Sequence, residues 1–171
     1  MKRPLYTFVV AVFLLTPALF AESVNLNPET ERGRLEQAEA IVGNVDVVVN
    51  DAANGAVGTV ALSRNNAYTG ETIVPAGVLE VPSVGLTGGT TSLGSGGQVV
   101  MDQAVLRFTG ATPATTDFTF TNNAPSFAER TDYNKEHLSV FDLRQDVTFM
   151  GDIVSDCVTA RKYWLGFDTR Q

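Results

Sequence analysis

The chain is poor in the residues from which most enzymes build their sites. Among 171 residues there is one cysteine, one histidine and one tryptophan. A single cysteine excludes an internal disulfide framework and any zinc site made of several cysteines. A single histidine argues against a histidine-based metal centre or a Ser-His-Asp triad. Basic residues are scarce as well, with 12 Lys+Arg against 19 Asp+Glu, a formal charge of −7 and a pI near 4.6. That balance argues against nucleic-acid binding, because phosphate contacts need clustered Lys and Arg. Charged residues make up only 18%, while Gly, Thr, Asn and Ser are plentiful, which is a composition of turns and strands. The length suits one domain of ordinary size.

Apolar runs are short everywhere except at the start. Lys2 and Arg3 give a positive beginning, Leu5–Leu15 is almost wholly apolar, Pro17 breaks it, and Ala18–Ala21 offers small residues before Glu22. Those are the three regions of a secretory signal peptide. Its apolar core of about 11–16 residues is shorter than the roughly 20 needed to span a bilayer. Residues 1–21 are therefore expected to be removed, with cleavage after Ala21 or after Ala18, and no transmembrane segment is expected afterwards. The remainder would carry 10 basic and 19 acidic residues, or −9. Exported protein, at the cell surface, outside the cell or in the periplasm, is the expected localisation.

Asn27–Gly43 has helical spacing. Asn27 can cap, Pro28 suits the first turn, and Leu35, Ala38 and Ile41/Val42 form one apolar stripe. A short helical leader over 22–43 is expected, either as a cap on the first open strands or as an unpacked leader. Beyond Gly43 the pattern changes to short β runs separated by Gly, Asn, Pro and Thr. The predicted strands are Val45–Val49, Val57–Leu62, Thr72–Val74, Val78–Val81, Gln98–Met101, Val105–Phe108, Phe118–Thr121, Leu138–Leu143 and Val147–Val154. The polar interval Asn122–Glu136 is expected to be a mobile loop. Strands this short with no helices between them exclude a doubly wound α/β sheet and leave a sandwich, a barrel or a solenoid.

Residues Asn65–Val81 contain Tyr68-Thr69-Gly70, then Thr72-Ile73-Val74, then Ala76-Gly77-Val78-Leu79-Glu80-Val81. Ser92-Leu93-Gly94-Ser95-Gly96, Ala104–Thr112 and Thr115-Thr116-Asp117 continue the pattern. This stretch, 65–117, resembles the autotransporter-associated β-strand repeat, with a fainter echo at Asp142–Ser155. The chain departs from the repeat at Pro75 and Asp152. The resemblance implies an all-β fold, a right-handed parallel β-helix or solenoid over 44–171, and a role as a passenger segment in structural display or adhesion. It implies host, cell-surface or polysaccharide ligands and no cofactor. The family's membrane barrel has no counterpart here, so a truncated member, a fragment or a protein that borrowed the repeat is expected. In such a solenoid Ile73, Val78, Val81, Val99, Val105 and Phe108 are inward candidates, and Gly70, Gly77, Gly94, Gly97 and Gly110 are corner candidates.

Candidate chemistry is sparse. Asp142, Asp146, Asp152 and Asp156 are the one carboxylate series, and a β-helix carbohydrate-active enzyme would use such a cluster. Their spacing matches no calcium loop, and solvated turn carboxylates are the plainer reading. His137, with Ser139 and Asp142 near it in sequence, reads as a surface histidine. Cys157 has no basic partner in a motif and reads as a plain thiol. Tyr163, Trp164 and Phe167 form an aromatic group that either binds a sugar or partner or covers the last strands. No catalytic, cofactor or metal residue is assigned. For the strand Val105–Phe108, Leu106→Asp is expected to unfold the stack and Arg107→Asp to be mild, since alternate side chains face opposite ways.

Overall fold

The computed structural model describes residues 22–122 and 139–155, and the backbone of 165–168. Within them the protein is all β. The strands are β1 Glu22–Leu26, β2 Arg34–Glu36, β3 Val42–Gly43, β4 Val45–Val49, β5 Thr59–Ala61, β6 Ala67–Tyr68, β7 Thr72–Val74 and β8 Val78–Val81. They continue as β9 Gln98–Met101, β10 Val105–Phe108, β11 Ala114–Thr116, β12 Thr119–Asn122, β13 Ser139–Leu143, β14 Val147–Phe149, β15 Ile153–Ser155 and β16 Leu165–Asp168.

One six-stranded sheet has the order β1-β4-β7-β9-β12-β15, and a second has the order β2-β5-β8-β10-β13-β16. Two short sheets, β3-β6 and β11-β14, form a third side. The chain visits first sheet, second sheet and third side in rotation, with no named strand on the third side between β8 and β9, and every pairing of named strands is parallel. Each circuit thus lays one strand beside its equivalent in the circuit before. Parallel strands cannot be joined by a tight hairpin, so each return must travel around the other sides.

Pairing in register lines side chains up in columns. One inward column of the first sheet runs Val24, Val47, Thr72, Val99, Phe120, Ile153. Its counterpart in the second sheet runs Leu35, Val60, Leu79, Leu106, Phe141. Val60, Leu79, Leu106 and Phe141 are completely buried. Residues with the same facing in β8 and β10 are Val81 and Phe108, also buried. Thr72 is the polar member of the first of these columns, and its hydroxyl meets the Tyr68 hydroxyl at 2.6 Å. Burial drives the Tyr68 phenol well above its ordinary pKa, with the bond to Thr72 offsetting part of the rise. It stays protonated and able to donate.

Several sequence expectations need correction. The helix over Asn27–Gly43 is absent, and β2, β3 and turns occupy the span. Arg32 adopts a positive φ of 59° and Gly33 follows it, which interrupts any helical hydrogen-bond ladder. Asn27 does not cap a helix, but donates through Nδ2 to Asp51 O at 2.9 Å and Ala56 O at 3.0 Å. Ile73, Val78 and Val105 are half-buried, while Thr72, Val74, Leu79 and Leu106 take the inner positions. A shift of one residue reverses every side chain of a strand, and apolar residues on both faces left the phase open. Gly77, Gly94 and Gly97 do have positive φ, but Gly70 and Gly110 do not. Gly70 is required for closeness instead, since a Cβ there would collide with Val45 O and Asp46 Oδ1 of the previous circuit. The run Val147–Val154 is two strands, β14 and β15, on different sides. The expected loop Asn122–Glu136 lies outside the described residues except for Asn122, which is buried in β12.

Candidate functional site

The densest chemistry lies on the outer face of the second sheet. Val78-Leu79-Glu80-Val81, Val105-Leu106-Arg107-Phe108 and Val140-Phe141-Asp142-Leu143 are equivalent segments of β8, β10 and β13. Their alternation turns the leucines and phenylalanines inward and leaves Glu80, Arg107 and Asp142 in one outward column. Arg107 stands between two carboxylates, with Nη1 2.8 Å from Glu80 Oε1 and Nε 2.7 Å from Asp142 Oδ2. Arg144 brings Nε to 2.6 Å from Asp142 Oδ1. On the other side Arg34 of β2 reaches across β5 to Glu80 and also meets Glu36 at 3.2 Å. Ala61 lies in this column between Glu36 and Glu80, and its small side chain lets the bridge pass.

Burial alone would raise both carboxyl pKa values, but the guanidinium hydrogen bonds outweigh it. Glu80 is held below its ordinary value by Arg34 and Arg107, and Asp142 by Arg144 and Arg107. For Arg107 the hydrogen bond to Asp142 is the largest cause of a raised pKa, with burial opposing it and Glu80 adding to it. The side chain of Asp142 is only 5% exposed. A general acid must hold a proton near the working pH, and a general base must be free to take one. Neither carboxylate meets either condition. The array is a clamp across strands that keeps alternating charge neutralised.

The predicted carboxylate series is not gathered into one site. Asp142 is committed to this clamp on the second sheet. Asp146 is exposed in the turn before β14, where its carbonyl accepts the Ala114 N–H at 2.9 Å. Asp152 is exposed just before β15, and its carbonyl accepts the Phe120 N–H at 2.9 Å. These positions belong to three different sides of the circuit. Asp156, His137, Cys157, Tyr163 and Trp164 lie outside the described residues. Phe167 lies on β16, in register with Phe141. Among the described residues no group of three or more His, Cys, Asp or Glu could hold a metal ion. Among the described residues there is no helix long and apolar enough to cross a membrane.

Sequence reasoning placed Arg107 on the outward face but did not assign Arg34, Glu80, Arg107 or Arg144 to a charged site. The signal was present as opposite charges at one place in successive segments of the same apolar–charged pattern. It also passed over a buried amide pair beside the third side. Gln37 Nε2 donates to Asn66 Oδ1 at 2.6 Å, and Asn66 Nδ2 donates to Ser92 O at 2.7 Å. Asn66 thereby ties three consecutive circuits together. Comparison with family models, curated proteins and solved structures finds no match.

Proposed function

We propose that this chain is an exported, non-enzymatic segment of a right-handed parallel β-helix, similar to an autotransporter passenger, that serves structural display or adhesion at a surface. The observation that carries this reading is the rotation of the chain through three sides with every pairing between named strands parallel. Such a build projects the same outward columns circuit after circuit, which suits an extended contact surface better than an enclosed pocket. The resemblance of 65–117 to the autotransporter-associated repeat supports the same reading. A β-helix carbohydrate-active enzyme fits less well, because Asp142 is neutralised by two arginines and stands apart from Asp146 and Asp152.

The ligand class that follows is a host-surface or polysaccharide chain bound along the outer columns. Purified protein should bind immobilised acidic or neutral polysaccharides, or host-cell surfaces, and leave the polymer intact. Depolymerisation that Asp146→Ala or Asp152→Ala abolishes would replace this reading with the enzymatic one. Export is tested by N-terminal sequencing of secreted protein, which should begin at Glu22 or Leu19.

A further inference from the structure

The loop between β4 and β5 carries a dipeptide that occurs nowhere else in the chain. Asn54-Gly55 is the sequence's one Asn-Gly, and both residues are exposed. An asparagine followed by glycine is open to attack by the next backbone nitrogen, because no Cβ crowds the closing ring. Asn54 N donates to Asp51 O at 2.9 Å and closes a turn, while among the described residues no acceptor takes the Gly55 N–H. The side-chain nitrogen Nδ2 of Asn54 donates to Asp51 Oδ2 at 2.5 Å and Asn25 Oδ1 at 3.3 Å.

The other described asparagines lack this combination. Asn27 precedes Pro28, which has no N–H to attack with. The nitrogens after Asn65 and Asn66 are engaged, Asn66 N with Thr91 O at 2.7 Å and Ala67 N with Ile41 O at 2.9 Å. Asn50 and Asn122 are buried, and Asn25 and Asn44 are followed by the bulkier Leu26 and Val45.

We propose that Asn54-Gly55 is a self-modification site, at which the folded chain converts an amide into a carboxylate. The Gly55 nitrogen gives its proton to solvent hydroxide and bonds to Asn54 Cγ. The Cγ–Nδ2 bond breaks, and the nitrogen leaves as ammonia with a proton from water. Water then adds to either carbonyl of the succinimide and opens it. One opening gives aspartate, and the other gives isoaspartate, whose backbone runs through the former side chain. In sum one water is consumed, one ammonia is released and one negative charge is gained.

Both products undo the loop. Each removes the Nδ2 donor and adds a negative charge beside Asp51. Isoaspartate also inserts a methylene before Gly55, where the backbone is already tight: a Cβ on Gly55 would lie 3.0 Å from Asn27 Cβ. Just beyond, Ala56 O accepts Asn27 Nδ2 at 3.0 Å and Val57 O accepts Arg32 N at 2.8 Å. Those bonds tie the loop to the connection between β1 and β2, and a lengthened backbone draws them apart.

The test incubates the full folded chain at mildly alkaline pH and follows residue 54 by peptide mapping and mass. Asn54 should gain the mass of NH2 exchanged for OH, take up heavy oxygen from labelled water, and yield both aspartate and isoaspartate. An exposed turn opens at little cost, so the rate should lie within about tenfold of that for the same chain in concentrated urea. Asn54→Gln keeps the amide but has one more rotor to orient for ring closure, and should slow conversion at least about tenfold. After conversion the Arg32 amide should exchange its hydrogen at least about threefold faster, as its acceptor Val57 O is drawn away. A folded chain that keeps Asn54 intact while the urea-unfolded chain converts it overturns the proposal. So does faster conversion at any other described asparagine. An Arg32 amide whose exchange is unchanged by conversion would refute the undoing of the loop.

Discussion

The outer faces of the two large sheets are built on opposite plans. On the first sheet one outward column runs Asn25, Val48, Ile73, Val100, Thr121, Val154, uncharged and mostly β-branched. On the second sheet the column Glu36, Ala61, Glu80, Arg107, Asp142 carries charges that alternate in sign over its last three members. Parallel in-register stacking forces each side chain to meet its equivalents above and below. Identical aliphatic groups tolerate that arrangement without a designated partner. Identical charges do not, because like charges directly opposite are destabilising. The charged column therefore depends on which residue stands in each circuit, and the aliphatic column does not.

The largest loss should come from neither face but from the core both share. Leu106→Asp puts an unpaired carboxylate in a fully buried column and should cost several kcal/mol, enough to prevent folding. Far-UV circular dichroism and a thermal melt would register it.

Arg107→Asp is next. Arg107 faces outward as the alternation predicted, yet the change would place three carboxylates side by side. Hydrogen bonds to charged groups contribute about 1.5–3 kcal/mol each when well formed, less at this half-exposed site. The variant should lose about 2 kcal/mol in urea unfolding by that scale, so the mild effect expected from facing alone does not apply. Arg107→Ala should lose less than Arg107→Asp; the reverse order would mean that the column is held by packing and not by charge.

Acid should weaken the charged face selectively. Glu80 and Asp142 have folded pKa values below their unfolded ones. Their contribution is present above the unfolded values, about 4 for such carboxyls, and is lost as pH falls through the lower folded values. Wild-type stability should therefore drop below about pH 4, by linkage, more steeply than that of Arg107→Ala. Parallel slopes for the two proteins would remove the arginine clamp as the cause.

The smallest effect belongs to the aliphatic column. Ile73→Thr keeps a β-branched shape at a half-buried outward site and should change stability by no more than about 0.5 kcal/mol. A loss comparable to that of Arg107→Asp would show that the two faces are not different in kind.

Much of this architecture was legible because its units are short and local. β4, β7, β8, β9 and β10 coincide with the strands read from apolar runs between Gly, Pro and Asn. The phase of β7 and β8 was not legible, since Ile73, Val74, Val78 and Leu79 are apolar on both faces and only the surrounding circuits decide. β2 and β3 were hidden under a helical spacing, and pairing with β5 and β6 overrode it. The clamp was missed for a related reason: Glu80, Arg107 and Asp142 are far apart in sequence, and only register makes them neighbours.

Register over successive circuits is therefore the central claim, and distances along one outward column measure it most directly. Spin labels can be placed in a Cys157→Ser background at Asn25 paired in turn with Thr121 and with Val154. These pairs are four and five parallel pairings apart in the column. With about 4.8 Å between neighbouring strands, the backbone separations should be about 19 and 24 Å. Two narrow distributions differing by one strand spacing are the predicted result. Separations that do not increase from Thr121 to Val154 would contradict the stacked arrangement.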